Sequence, residues 1–278
     1  MSKMYAAMVS MSLASAVYAQ SAVQGSAVPD DAVPASEETA VSCKHKEENG
    51  KHCGHGAFKF DVLAGVDVFK FKNGSITQLD THFVFDLNKN WKLDVSLPFY
   101  SDSIQPKAEL GIGDLGADVT YNLFEGKFDG LKTEKAWINA SGGIGIPMDG
   151  EYSSNDITLS LGGEVGASWG DLTLSYNADY TFVDEYTYVA PLGGFVFADI
   201  YTGTASASWN LDKNMAFSVN LTQYNASDYD LLTFGPEIEY AFSKSCGVNV
   251  GVDFPIDQDI PNGNEFDVTL SAGLSFKF

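Results

Sequence analysis

The alternation from Glu265 to Phe278 constrains the fold of this chain more than any other stretch. The residues read EFDVTLSAGLSFKF, so that Phe266, Val268, Leu270, Ala272, Leu274, Phe276 and Phe278 share one face of an extended chain. Asp267, Thr269, Ser271, Gly273, Ser275 and Lys277 share the other. Strict period two requires a strand with one apolar and one polar face. A soluble half-buried strand carries the same alternation, but rarely over such a length and with an aromatic as its last residue. No uninterrupted apolar run reaches the roughly 18 to 20 residues that a membrane-spanning helix needs. A chain of this kind that spans a membrane does so as a closed barrel, because only helices and barrels satisfy every backbone polar group in lipid.

From Ala57 onward the same text repeats. Phe58, Phe60, Val62, Ala64, Val66 and Val68 oppose Lys59, Asp61, Gly65 and Asp67, and KNGS then turns the chain. A second strand over about Thr77 to Leu87 places Leu79, Phe83 and Phe85 outside and Gln78, Asp80, His82 and Asp86 inside. In the third, WKLDVSLPFY, Trp91, Leu93, Val95, Leu97 and Phe99 oppose Lys92, Asp94, Ser96 and Pro98. Leu115 to Leu123 follows in the same pattern, with Asp114 and Asp118 on the polar face. Further strands are expected at about Ala136 to Pro147, Ile157 to Trp169, Asp171 to Val183, Val196 to Trp209, Met215 to Tyr224, Leu231 to Phe242 and Gly247 to Pro255. With the closing strand the total is about twelve, and bacterial single-chain barrels have an even number. Short connections such as Asn88 to Asn90 and Gly170 alternate with longer ones such as Ser101 to Gly111, Met148 to Asn155, Asp184 to Phe195 and Asp257 to Asn264. Short periplasmic turns and long outer loops are the asymmetry of outer-membrane barrels, which puts both termini in the periplasm. Glu125 to Lys135 is long for a periplasmic turn and is where the register is least determined. The fold class expected is all-β: a transmembrane antiparallel up-and-down β-barrel, residues 57–278, in the outer membrane of a Gram-negative envelope. A soluble β-sandwich requires neither the aromatic outer faces nor an export signal.

The residues before the barrel divide in two. Met1 to Ala19 reads as a signal peptide, with Lys3, an apolar centre from Met4 to Val17 and a small-residue cleavage site at Val17-Tyr18-Ala19. Its removal takes one lysine and no acid from a chain of formal charge -21, leaving -22. Such a charge repels nucleic acid. Residues 20–56 are rich in Ala, Pro, Ser and acids, without period, and read as a disordered periplasmic segment. Within it Cys43, His45, His52, Cys53 and His55 gather thiols and imidazoles, the ligands preferred by Zn and Cu. A Cys43 to Cys53 disulfide in an oxidising compartment is the competing reading, and Cys246 remains over.

The polar faces, sorted together, give Asp61, Asp67, Asp80, Asp86, Asp94, Asp118, Glu164, Asp179, Glu237, Glu239, Asp253 and Asp267, against Lys59, Lys92, Lys277 and His82. All 16 basic residues are lysines and none is arginine. An open lumen with this lining favours cations or neutral solutes, and an anion pore built on cationic rings is disfavoured. The equal alternative is that the carboxylates only keep the interior wet. An enzyme is not expected, because His82 is the only histidine on a strand and no exposed Ser/His pair is recognisable.

Leu97-Pro98-Phe99-Tyr100, Gly111-Ile112-Gly113-Asp114-Leu115, Tyr121-Asn122-Leu123 and Gly143-Ile144-Gly145-Ile146-Pro147 resemble the outer-membrane transporters of the phenol-degradation meta-pathway family. The resemblance runs from about Ala57 to Phe278. It implies uptake of small hydrophobic or aromatic compounds. The closing strand likewise resembles the signal by which outer-membrane barrels are recognised by the assembly machinery, with Phe278 as its terminal aromatic. The function expected is passive passage of small solutes through an outer-membrane channel in contact with lipid. The rivals are a metal-binding envelope protein anchored by a closed barrel, and a structural barrel whose outer loops, carrying Tyr152, Tyr186, Tyr188 and Tyr229, contact a partner.

Overall fold

The computed structural model describes residues 59–104, 109–148, 152–153, 156–183, 187–192, 194–196, 198–227, 229–260 and 265–278. Twelve long strands form the barrel: β1 (Lys59–Phe71), β2 (Gly74–Asp86), β3 (Trp91–Asp102), β5 (Leu115–Gly126), β6 (Lys135–Ile146), β7 (Thr158–Trp169), β8 (Leu172–Phe182), β11 (Ile200–Asn210), β12 (Met215–Ala226), β13 (Tyr229–Ser243), β14 (Cys246–Asp259) and β15 (Phe266–Lys277). Three short strands, β4 (Glu109–Ile112), β9 (Thr187–Val189) and β10 (Gly194–Val196), lie in the connections. Each barrel strand pairs antiparallel with the one before it, and β1 pairs with β15 from Asp61↔Lys277 to Val68↔Leu270, so the sheet closes on itself. Closure leaves no barrel edge unpaired, which is the condition for crossing lipid with strands.

The outer face is apolar around the ring. Leu79, Leu161, Leu174, Leu221, Phe234, Ile238, Val250 and Leu270 are all exposed. This surface is wrong for water and right for acyl chains. At the short-turn end it finishes in aromatic pairs, Phe60 stacked on Phe278, Trp91 against Tyr121, Trp209 on Phe217 and Tyr240 against Phe242. Tyr180 against Phe182 stands toward the other end. Amphipathic rings favour the two interfaces of a bilayer.

Local chemistry sets the tight turns. Asn88 Oδ1 accepts from the backbone N–H groups of Asn90 (2.9 Å) and Trp91 (3.2 Å), and Asp212 Oδ1 does the same for Asn214 (2.7 Å) and Met215 (3.0 Å). These are side-chain mimics of a backbone turn. Gly170 turns β7 into β8 at φ +57°, a conformation that favours glycine.

The expected alternation holds apart from local shifts, which also occur twice between β13 and β14, at Leu232/Thr233 and Ala241/Ser243. At Lys70/Phe71 the β1–β15 pairing shifts by one residue. Phe266 therefore turns inward, 1% exposed with its ring edge-on to Phe71 at 5.7 Å, while Asp267 is exposed. Strict alternation had put Phe266 outside and Asp267 inside, and a bulge reverses every side chain beyond it. Another shift lies between Asn122 and Phe124, near the connection whose register is least determined by the sequence. There a single 3-10 turn, Asp129–Leu131, ends at Lys132 in the left-handed region.

Candidate functional site

The inner face is the candidate site, and alternation along each strand places its residues. Asp67, Asp80, His82, Asp94, Glu164, Asp179 and Glu237 all point inward and are buried. Asp118 and Glu239 point inward with partial exposure, and Asp61 and Asp86 sit at the short-turn rim of β1 and β2. The residues proposed for metal binding, Cys43, His45, His52, Cys53 and His55, lie outside the described residues.

The ion pairs include Lys92–Asp86 (3.7 Å) and Lys135–Glu125 (3.2 Å), both near the short-turn rim, and His82–Asp94 (3.1 Å) deeper in. Amides hold others. Asn139 Nδ2 donates to Glu164 Oε2 (2.9 Å) and accepts at Oδ1 from Asn122 Nδ2 (3.1 Å). Asn249 Nδ2 donates to Glu237 Oε1 (2.7 Å), and Asn220 Nδ2 reaches Glu237 Oε2 at 3.5 Å. Neutral amide donors thus satisfy these two carboxylates without bringing a positive charge into the lumen. These asparagines were not singled out from the sequence; their only signal there is a place on the polar face.

Glycines make the room. A Cβ on Gly143 would stand 1.8 Å from Asp118 Oδ1, one on Gly162 1.9 Å from Asp179 Oδ1, and one on Gly235 1.8 Å from Asp253 Oδ1. Each aspartate thus lies against a glycine of the neighbouring strand. Beside Asp118 is a cavity of about 10 Å³ lined by Thr158, Ser160 and Thr181. Asp118 Oδ1, Ser160 Oγ and Thr181 Oγ1 are buried there without a protein partner. The cavity has the size, donors and acceptor for one bridging water.

At the long-loop end the interior changes character. Phe69, Phe71, Ile76, Tyr100, Ile200, Ala226, Leu231 and Phe266 turn inward and pack with Tyr152 and Ala190, which come from two connections folded over the mouth. The Tyr152 ring lies 5.4 Å from that of Tyr100 and directly over Gly111, where a Cβ would meet it at 2.5 Å. Ser153 Oγ donates to Asp114 Oδ1 at 2.7 Å, pinning the same loop. Gly111 and Asp114 belong to the Gly-Asp motif quoted above, so the motif's role here is to seat this loop. The partner-binding alternative puts Tyr152 on an outer loop in contact with a partner; it is instead 8% exposed inside the cap. Apolar residues such as Phe69 and Tyr100 break the polar inner pattern, and only the loops that cover them explain why.

No family model matches the chain, and no curated protein matches it. Solved structures do. The NanC porin shares 14% identity over 79% of this chain and 100% of its own, with a TM-score of 0.54. An outer membrane channel from Pseudomonas putida F1 shares 13% over 80% of this chain and 96% of its own, with a TM-score of 0.56. The KdgM porin in complex with disordered oligogalacturonate shares 13% over 79% and 99%, with a TM-score of 0.50. At this identity the likeness is one of fold: the architecture of outer-membrane porins and channels.

Proposed function

We propose that this protein is an outer-membrane channel that passes small cations or neutral solutes and that its outer mouth is closed, in the state described, by the apolar cap. The observation that carries this reading is the inner face, whose carboxylates outnumber the lysines around them and of which two, Glu164 and Glu237, are held by asparagine amides. Such a lining attracts cations and repels anions. The short-turn end faces the periplasm in this reading. Phe278, stacked on Phe60 at 4.9 Å, completes the strand face offered to the assembly machinery.

The cap supports a finer statement. Its aromatic walls suit a small apolar or aromatic solute, as the resemblance to the phenol-degradation meta-pathway family implies, and such a solute would enter by displacing Tyr152. The same cap also favours a second reading, a barrel that does not conduct and serves as an anchor. In that case the segment with Cys43, His45, His52, Cys53 and His55 carries the function by binding Zn or Cu.

Conductance separates the two. Reconstituted in planar bilayers, the channel is expected to show stable steps, with cation over anion permeability lowered by Asp94→Asn and Asp118→Asn. Anion preference in the wild type contradicts the selectivity, and silence from a folded barrel that persists in Tyr152→Ala contradicts the channel. Zinc or copper titration of the full chain, repeated with the three histidines replaced by alanine, tests the anchor reading.

A further inference from the structure

We infer that Asp67, Gln78 and Asp80 form a binding site for a divalent cation of the calcium class, directly beneath the apolar cap. Asp67 on β1 is the register partner of Gln78 on β2, and Asp80 follows two residues on along the same inner face. Opposed Cβ atoms in an antiparallel pair stand about 4.5 to 5.5 Å apart, so the three side-chain ends share one small volume. They are 3%, 0% and 0% exposed.

The orientation of the amide is decisive. Gln78 Nε2 donates to Asp80 Oδ2, which leaves Gln78 Oε1 as an acceptor. Asp67 Oδ2, Gln78 Oε1 and Asp80 Oδ1 are all buried with no hydrogen-bond partner in the protein. Two adjacent buried carboxylates are strongly unfavourable without compensation. Part of it comes from His82, the next inward residue on β2, whose imidazole pairs through Nδ1 with Asp94 and whose field also favours the Asp80 carboxylate. Lys70 lies on the opposite face of β1, and Asp253 and Glu237 add negative charge toward Asp67.

Carboxylate and amide oxygens are the ligands of hard cations. Calcium takes 6 to 8 oxygens in flexible geometry and accepts water for the remainder. The set contains no thiolate or imidazole, which zinc and copper prefer. Among the described residues no group of three or more His, Cys, Asp and Glu side chains is placed to hold a metal. The third ligand here is an amide oxygen, which is why the site does not resemble a conventional metal cluster. It goes beyond the channel reading and does not require it, since a barrel that never conducts would bind the ion equally.

The test is calcium titration of the folded full-length protein in detergent after chelation, by calorimetry and by terbium luminescence excited through tyrosine. Tyr100, the register partner of Gln78 on β3, is the expected sensitiser. One saturable site is expected, with a calcium-dependent rise in the temperature at which the barrel loses its heat-modifiable band. Asp67→Asn and Asp80→Asn should each weaken binding at least about tenfold, while Asp179→Asn, on the inner face of β8, should leave it unchanged. Gln78→Leu, which alters no charge, should weaken it as well and decides the matter if an aspartate variant does not fold. No saturable calcium binding by the wild type, or equal affinity in the Asp67, Asp80 and Gln78 variants, overturns the proposal.

Discussion

At the long-loop end the inward positions of β1, β3 and β15 carry Phe69, Phe71, Tyr100 and Phe266, whereas lower in the barrel those of β5, β6, β12 and β14 carry Asn122, Asn139, Asn220 and Asn249. The strands differ, but the alternation that sends side chains inward is the same. What also differs is what lies across the opening. Long connections bring Tyr152 and Ala190 over one mouth, so apolar inward residues there find apolar partners and lose water. Toward the other mouth the inward positions are mixed: Leu63, Val84 and Trp137 are buried there beside the polar, partly exposed Asn122, Asn139, Asn220 and Asn249. Alternation therefore fixes which side of the wall a residue occupies, and at the long-loop end the connections that cover the mouth turn the inside into a core.

The comparison breaks most severely where inside and outside chemistry are exchanged. Leu221 stands on the lipid face of β12, and Leu221→Arg should cost about 2 to 4 kcal/mol in bilayer unfolding measurements if it lies near the midplane. Gly166→Ala comes next. Its Cβ would stand 2.1 Å from the buried Trp137 ring, and such overpacking costs about 1 to 3 kcal/mol, readable as a lower unfolding midpoint in urea. Tyr152→Ala sharpens the contrast between the two mouths. It should leave the barrel folded by heat modifiability while raising the open fraction several-fold in bilayer recordings, because the loop loses its contact with Tyr100 and Gly111. Lys72→Ala should do least. The Lys72–Glu265 pair is 3.4 Å long with both side chains about 60% exposed, and exposed pairs contribute roughly 0 to 1 kcal/mol.

Much of this molecule is legible in the sequence because a barrel wall obeys a two-residue rule. Val66 and Val68 outside and Asp67 inside follow from it directly, as do Leu93, Val95 and Leu97 against Asp94 and Ser96. Phe266 does not, because a bulge depends on how β1 and β15 meet and not on either strand alone. Tyr152 was hidden for a related reason: its place depends on a loop reaching Asp114 and Gly111, which no periodicity encodes. Within the inner face the aspartates were visible as charges on the polar side. Their posture across Gly143, Gly162 and Gly235 was not, since it arises only when neighbouring strands are set side by side.

Single-channel conductance of the refolded protein under a salt gradient tests the central claim most directly, because it reads the lumen and the cap in one experiment. The account predicts discrete steps with a cation-selective reversal potential, infrequent in the wild type and frequent in Tyr152→Ala. A correctly folded barrel that stays silent even with the cap removed, or one whose reversal potential favours anions, would contradict it.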